Sequence, residues 1–237
     1  MDAAGYTTLT RQAGLMREMQ VVANNIANIS TNGFRREGVI FAEYVADLDE
    51  GPSLSMAHAT GRAVDLGQAG LSQTGGTFDF AIQGEGFFLL ETPQGQQLTR
   101  AGSFTPSAEG ELMTSDGFRL LDQGGAPVFV PPDAGKVALG SDGTISANGV
   151  ALGKIGLWQP IDKTQLQHQS GTMFASPSGV EPTESGQIMQ GFLEDSNVDA
   201  VSEIARMITV QRAYELGQTF LDREDARVRD VVQTLGK

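Results

Sequence analysis

The C-terminal stretch constrains this chain more than any other part of it. From Met207 onward, Met207, Val210, Tyr214, Gly217, Leu221, Glu224, Val228, Val231 and Leu235 recur at alternating gaps of three and four, and only Gly217 and Glu224 interrupt the apolar series. A spacing that averages 3.5 residues lays a narrow apolar seam along one side of a helix, and such a seam needs a second helix to cover it. Ser196 with Asp199 three residues on approximates a capping box, and Asp195 and Asp199 put negative charge at the positive end of the helix dipole. Asp225 and Arg229 add an i,i+4 pair with the acid on the N-terminal side. A helix from Val198 to Leu235 would be about 57 Å long, at roughly 1.5 Å per residue. That is too long to lie inside one compact domain of a 237-residue chain.

The expected partner is at the other end. Leu15, Met19, Val22, Ile26 and Ile29 repeat at gaps of four and three, Leu9, Met16 and Ala23 widen the stripe, and no proline precedes Pro52. Between the two helices the period changes to two. Runs such as Phe87-Phe88-Leu89-Leu90, Phe118-Arg119-Leu120-Leu121, Lys136-Val137-Ala138-Leu139 and Ile155-Gly156-Leu157-Trp158 are separated by Pro93, Gly95, Asp116-Gly117, Gly124-Gly125, Asp142-Gly143 and Asn148-Gly149. This is hairpin punctuation of an antiparallel sheet or small barrel. The expected fold class is therefore α+β: long N- and C-terminal helices pairing as an α-helical coiled-coil domain, with a central antiparallel β-rich domain inserted between them. The expected divisions are an N-terminal helix over 1–35, an extended linker over 36–76, the β-domain over 77–174, a return linker over 175–192 and a C-terminal helix over 193–237. The first linker, with Gly51-Pro52 and many Ser, Ala and Gly, has room for a strand or two but no core of its own.

A net charge of -13 and a pI near 4.5 argue against nucleic-acid and anionic-membrane binding, since a phosphate backbone must be met by clustered Lys and Arg. The absence of cysteine removes disulfides, thiolate metal sites and thiol catalysis together. No charged segment followed by an apolar run and a small-residue cleavage site opens the chain, and no run of about 18 apolar residues occurs. The expectation is neither signal-peptide export nor membrane insertion. His58 and His168 have no acidic or Ser partner at motif spacing. Gly84-Glu85-Gly86 lacks the third glycine of a dinucleotide loop, and Asp142-x-Thr144 offers too few oxygens for calcium. Asn28-Ile29-Ser30 is a sequon only by letter, and Asp47-x-Asp49-Glu50 reads as a solvated charge cluster. No catalytic, cofactor or metal site is expected.

Three asparagines within five positions, Asn24, Asn25 and Asn28, are unusual in a helix because their amides compete for backbone hydrogen bonds. They predict polar contacts between elements or chains, with Asn32-Gly33 as the left-handed stop. The whole run Ala23-Asn24-Asn25-Ile26-Ala27-Asn28-Ile29-Ser30-Thr31-Asn32-Gly33-Phe34 resembles the N-terminal signature of the flagellar rod and hook proteins. Phe78-Asp79-Phe80-Ala81-Ile82-Gln83-Gly84-Glu85-Gly86-Phe87-Phe88 and Thr99-Arg100-Ala101-Gly102-Ser103-Phe104 resemble that family's central β-domain. Gly191-Phe192-Leu193-Glu194-Asp195-Ser196-Asn197-Val198 and Gln211-Arg212-Ala213-Tyr214-Glu215 resemble its C-terminal helix signature. Within the family, Met1-Asp2 with Tyr6-Thr7 and Asp142-Gly143-Thr144-Ile145-Ser146 are most similar to the proximal rod member, with the distal rod protein next.

The resemblance implies a structural subunit of the bacterial flagellar basal-body rod, assembling with itself and other rod proteins to transmit motor torque across the periplasm. It also implies delivery by the flagellar export apparatus without a cleaved signal. The residues expected to carry assembly are Leu15, Met19, Val22, Asn24, Asn25, Ile26, Asn28, Ile29, Gly33 and Phe34 at one end. At the other they are Ser196, Asn197, Met207, Val210, Tyr214, Leu221, Val228, Val231 and Leu235. Two alternatives stay open: a distal rod or hook-type member of the same family, and a β-rich glycan-acting or glycan-binding domain dimerised by its helices. The second needs Glu85 to converge with Asp79 or Glu109 in one cleft.

Overall fold

Helix α1 (Ala3–Ala27) and helix α2 (Ala200–Leu235) form where the apolar 3.5-residue repeats lie. The computed structural model describes residues 3–46 and 54–235. Met1-Asp2, the acidic Asp47, Asp49 and Glu50, and Gly51-Pro52 fall outside the described residues, as do the side chains of Tyr6, His58 and Leu235. The chain divides into two compact units. One gathers α1, α2 and the strands β1 (Glu37–Ala46) and, up to Ala63, β2 (Leu54–Val64), which pair in a two-stranded sheet. The other holds Asn28–Arg36 and Val64–Val198.

In the helical unit α1 and α2 run antiparallel, as three cross-helix contacts fix. Gln12 Nε2 donates to the Tyr214 carbonyl at 2.9 Å, Glu18 meets Arg206 at 2.9 Å, and Asn25 Nδ2 donates to Glu203 Oε2 at 3.2 Å. That register sets Ala3 level with about Arg223, so the last three turns of α2 reach past the start of α1. Among the seam positions Val210 is buried and Met207, Tyr214, Gly217 and Leu221 are half-buried, while Glu203, outside the named series, is fully buried. Gly217 lies close against the Gln12 amide of α1. A Cβ there would stand 2.5 Å from Gln12 Nε2.

Both helix ends differ from expectation. α1 stops at Ala27, short of Asn28 and of Gly33. The Asn28 carbonyl accepts from Thr31 N at 3.2 Å and Asn28 Oδ1 from Thr31 Oγ1 at 3.1 Å, a local turn that competes with helical bonding. The cap of α2 is Asp199, whose Oδ1 accepts from Ser202 N at 2.8 Å, while Ser196 Oγ accepts from Val198 N in the turn before it.

The β-rich unit contains β3 (Leu71–Gln73), β4 (Phe80–Gly84), β5 (Phe88–Thr92), β6 (Gly95–Thr99), β7 (Thr105–Pro106), β8 (Leu112–Met113) and β9 (Arg119–Leu120). It continues with β10 (Val137–Leu139), β11 (Thr144–Ala147), β12 (Val150–Lys154), β13 (Leu157–Pro160), β14 (Gln167–His168), β15 (Met173–Ala175), β16 (Val180–Thr183), β17 (Gly186–Gln190) and β18 (Phe192–Glu194). The main sheet runs β14-β15-β6-β5-β9-β8-β7. Phe87-Phe88-Leu89-Leu90 is apolar throughout because it is covered on both sides. Phe88 and Leu90 enter one core with Phe80, Phe104, Leu112, Leu120 and Ile145, while Phe87 and Leu89 enter a second with Leu98, Leu121 and Phe174. Asn148-Gly149, with φ of 50° and 82°, turns β11 into β12, the two-residue hairpin its sequence predicts.

Two stretches read as linkers hold paired strands. Residues 36–76 contain β1, β2 and β3, and 175–192 contain β16 and β17, the latter registered against β4 from Gly186↔Gly84 to Gln190↔Phe80. β1 does carry strand-forming residues, Val39, Ile40, Phe41, Tyr44 and Val45, whereas β3 and β17 are mostly small or polar and are carried by backbone pairing to β18 and β4. Pro182 is tolerated because β16 belongs to a two-stranded sheet with β13.

Candidate assembly surfaces

On α1, Val22 is buried and Leu15, Met19 and Ile26 are half-buried. Asn25, fully buried, does more than any neighbour. Its Nδ2 donates to the Glu37 carbonyl at 2.9 Å as well as to Glu203, and its Oδ1 accepts from Glu37 N at 3.0 Å, so one amide ties α1, β1 and α2 together. Asn24 is half-buried, and Asn28 and Ile29 lie beyond the helix. Val228 and Val231 continue the α2 seam past α1 and are each half exposed, at 50%. They leave apolar surface on the overhang.

Gly33, Phe34, Ser196 and Asn197 belong instead to the β-rich unit. Gly33 has φ of 74°, and a Cβ on it would meet Ala101 N at 2.2 Å, so both backbone conformation and close approach require glycine. Its N–H donates to the Glu194 carbonyl at 2.7 Å. Buried Phe34 lies edge-on to His168 at 5.9 Å, and His168 in turn to Phe174 at 5.3 Å. Asn197 Oδ1 accepts from Arg36 N at 2.6 Å, and its Nδ2 donates to the Asp65 and Gly67 carbonyls, each at 3.0 Å.

The sequence reading missed the charged cluster beside these residues. Glu194, with no exposed surface, accepts from Arg35 Nη2 at 2.7 Å, from Arg100 Nη1 at 3.1 Å and from Ala69 N at 2.9 Å. Arg35 also donates to the Gly67 carbonyl and Arg100 to that of Gly84. Burial, partly offset by Glu194, lowers the Arg100 pKa to about 10. The sequence offers no local signal for the cluster, because Arg35 is followed by Arg36 and Glu37 and Glu194 by Asp195, so neither stands out as a lone charge. The carboxylates named for a glycan cleft occupy separate turns: Glu85 pairs with Lys163, Asp79 accepts from Thr74 Oγ1, and Glu109 is exposed before β8. No group of three potential metal ligands occurs among the described residues, and no described helix is long and apolar enough to cross a membrane.

Comparison with known proteins agrees with this arrangement at both ends and in the middle. Residues 6–35 match the flagella basal body rod protein family, 81–147 the D1 domain of the flagellar hook protein FlgE/F/G family, and 189–234 the C-terminal region of the flagellar basal body rod FlgEFG proteins. The chain is 37% identical to the flagellar basal-body rod protein FlgF of Caulobacter vibrioides, across 100% of this chain and 99% of that protein. The chain belongs to the flagellar basal-body rod protein family. A FlgF protein of Mesorhizobium japonicum is likewise 37% identical over 100% of this chain and 99% of its own length. The rod protein FlgG of Bacillus subtilis is 30% identical over 96% of the chain and 97% of its own. Among these rod proteins the resemblance is thus greater to FlgF than to FlgG.

Proposed function

We propose that this chain is a structural subunit of the proximal part of the flagellar basal-body rod, assembling through its paired terminal helices, as a coiled-coil layer, to transmit motor torque across the periplasm. Its partners on this reading are further copies and other rod proteins, with delivery by the flagellar export apparatus. The observation that carries it is the α2 seam itself. α1 covers the seam to about Arg223, and Val228 and Val231 prolong it in the same register, each 50% exposed. Apolar positions held at seam spacing beyond an intramolecular partner fit an intermolecular one. Torque transmission requires stiffness, which close-packed helices supply because packed interiors deform little. No reacting group is needed for it.

The test is the double replacement Val228→Asp, Val231→Asp in the full-length chain. Both residues are half exposed and lie beyond the stretch that α1 covers, so neither change breaks one of the three α1–α2 contacts named above. The expected result is loss of swimming and loss of the chain from isolated basal bodies, with its cellular level unchanged. Retained motility and normal incorporation would count against assembly through the helices.

A further inference from the structure

Of the six asparagines only Asn32 and Asn148 precede a glycine. At such a step a side-chain amide is most open to attack by the chain itself, because glycine has no side chain to crowd its own backbone nitrogen. The fold treats the two sites in opposite ways. Gly33 is buried and its N–H is committed to the Glu194 carbonyl at 2.7 Å, so the nitrogen next to Asn32 is held away from reaction. Asn148, Gly149 and Val150 are exposed at the tip of the β11–β12 hairpin, and the Gly149 N–H has no hydrogen-bond partner among the described residues. A Cβ on Gly149 would meet nothing within 4 Å, so the turn has room to rearrange. The two Asp-Gly steps are closed as Asn32 is: Gly117 N donates to the Thr114 carbonyl at 3.0 Å and Gly143 N to that of Gly140 at 2.9 Å. The Asn148 amide is also polarised. Its Oδ1 accepts from Lys136 N at 3.2 Å, which draws electron density from Cγ and places a donor where negative charge gathers when a nucleophile adds there.

We propose that Asn148 is a site of spontaneous covalent modification, converting through a succinimide to aspartate and isoaspartate. The Gly149 nitrogen, its proton lost to solvent base, adds to Asn148 Cγ; the Cγ–Nδ2 bond breaks, and Nδ2 takes up a proton from solvent and leaves as ammonia. Water then opens the ring at either carbonyl. Cleavage between Cγ and the Gly149 nitrogen gives aspartate. Cleavage between the Asn148 backbone carbonyl carbon and that nitrogen gives isoaspartate, in which the chain runs through the former side chain and carries a free α-carboxylate. Either product adds a negative charge to a chain whose net charge is already -13. Isoaspartate also lengthens the backbone by one methylene between Ala147 and Val150, which pair across the turn, and so loosens the end of β11–β12. Its α-carboxylate is the group that a carboxyl methyltransferase acting on isoaspartyl residues accepts, and the exposed turn presents it.

The test follows the unaltered full-length chain. It is incubated at mildly alkaline pH, folded and, in parallel, unfolded in urea, then cut with an acid protease, since low pH halts ring closure. The peptides holding Asn148 and Asn32 are compared by mass, and isoaspartate is counted by methyl transfer from S-adenosylmethionine with a purified isoaspartyl methyltransferase. In the folded chain the Asn148 peptide is expected to gain the mass of amide-to-acid exchange and to accept methyl groups. The Asn32 peptide is expected to convert at least ~100-fold more slowly, because its glycine nitrogen is released only when the core around it opens. In urea the two rates converge. An Asn148 peptide that converts in urea but stays unchanged in the folded chain shows that the turn protects it, and overturns the proposal. Equal conversion of Asn32 and Asn148 in the folded chain overturns it as well. So does aspartate formed without methyl acceptance, the mark of direct hydrolysis by water. None of these outcomes bears on the rod assignment.

Discussion

Glu194 is the residue on which the β-rich unit converges. Its carboxylate holds Arg35, Arg100 and the Ala69 amide, and its carbonyl holds the Gly33 amide, so three separated stretches of chain meet at one side chain and its backbone. A buried carboxylate between two guanidinium groups does not by itself guarantee net stability, because all three charges are taken from water. Breaking the set is a different matter. Glu194→Gln leaves two buried cations facing each other, and the expected loss is about 3–5 kcal/mol in urea unfolding at neutral pH. Replacing Arg35, Arg100 and Glu194 together by methionine is expected to cost much less. An equal loss in both variants would show that shape rather than charge is what the cluster contributes. None of this was legible beforehand, because separations as large as that from Arg35 to Glu194 leave no local pattern to read.

The helices show where sequence speaks clearly and where it does not. That both helices exist was legible, since a repeat near 3.5 residues held over many turns dictates a helix whatever covers it. Their ends were not. Ser196, read as the cap, yields to Asp199, and Asn28, read as helical, forms a turn, because each amide or hydroxyl has several nearby backbone groups to choose among and tertiary packing selects one. The hydrogen bond from Ser202 lowers the Asp199 carboxyl below its ordinary value, and the ion pair with Arg227 lowers Glu224. Thr144 and Thr164 do the same for Asp142 and Asp162. A carboxyl whose pKa is lower folded than unfolded contributes stability above the unfolded value and loses it as pH falls through the folded one. Helical circular dichroism should therefore decline on acidification below about pH 4. In Asp199→Ala the signal should start lower at neutral pH and fall less. An unchanged acid profile in that variant would remove Asp199 from the account.

At the scale of the molecule, the broad plan of helices at both ends and strands between them was legible, because a long 3.5-residue repeat and short apolar runs punctuated by Gly, Asn and Asp are distinct patterns. The membership of the two units was not, since Asn28–Arg36 and Glu194–Val198 look like extensions of the helices and belong with the strands. The units also differ in how they are held. Much of α2 beyond Tyr214 is exposed, whereas β5 is buried on both sides. Helices without such packing are marginal in water. Hydrogen exchange on the dilute monomer is expected to be fast across Met207 to Thr234 and slow across Phe87 to Leu90. Strong protection across both would show that the helices need no assembly to become ordered. Glu194 has one more consequence, which concerns time rather than energy. A chain that emerges N-terminus first, from a ribosome or a narrow export channel, presents Gly33, Arg35, β3, β4 and Arg100 long before β17, β18 and Glu194. Those early stretches can bond among themselves, Arg100 to Gly84 and Arg35 to Gly67, but β3, β4 and both guanidinium groups lack β18, β17 and Glu194 until Glu194 is out. The last part to arrive is the part that locks the body, so a half-emerged chain stays open and can still be threaded.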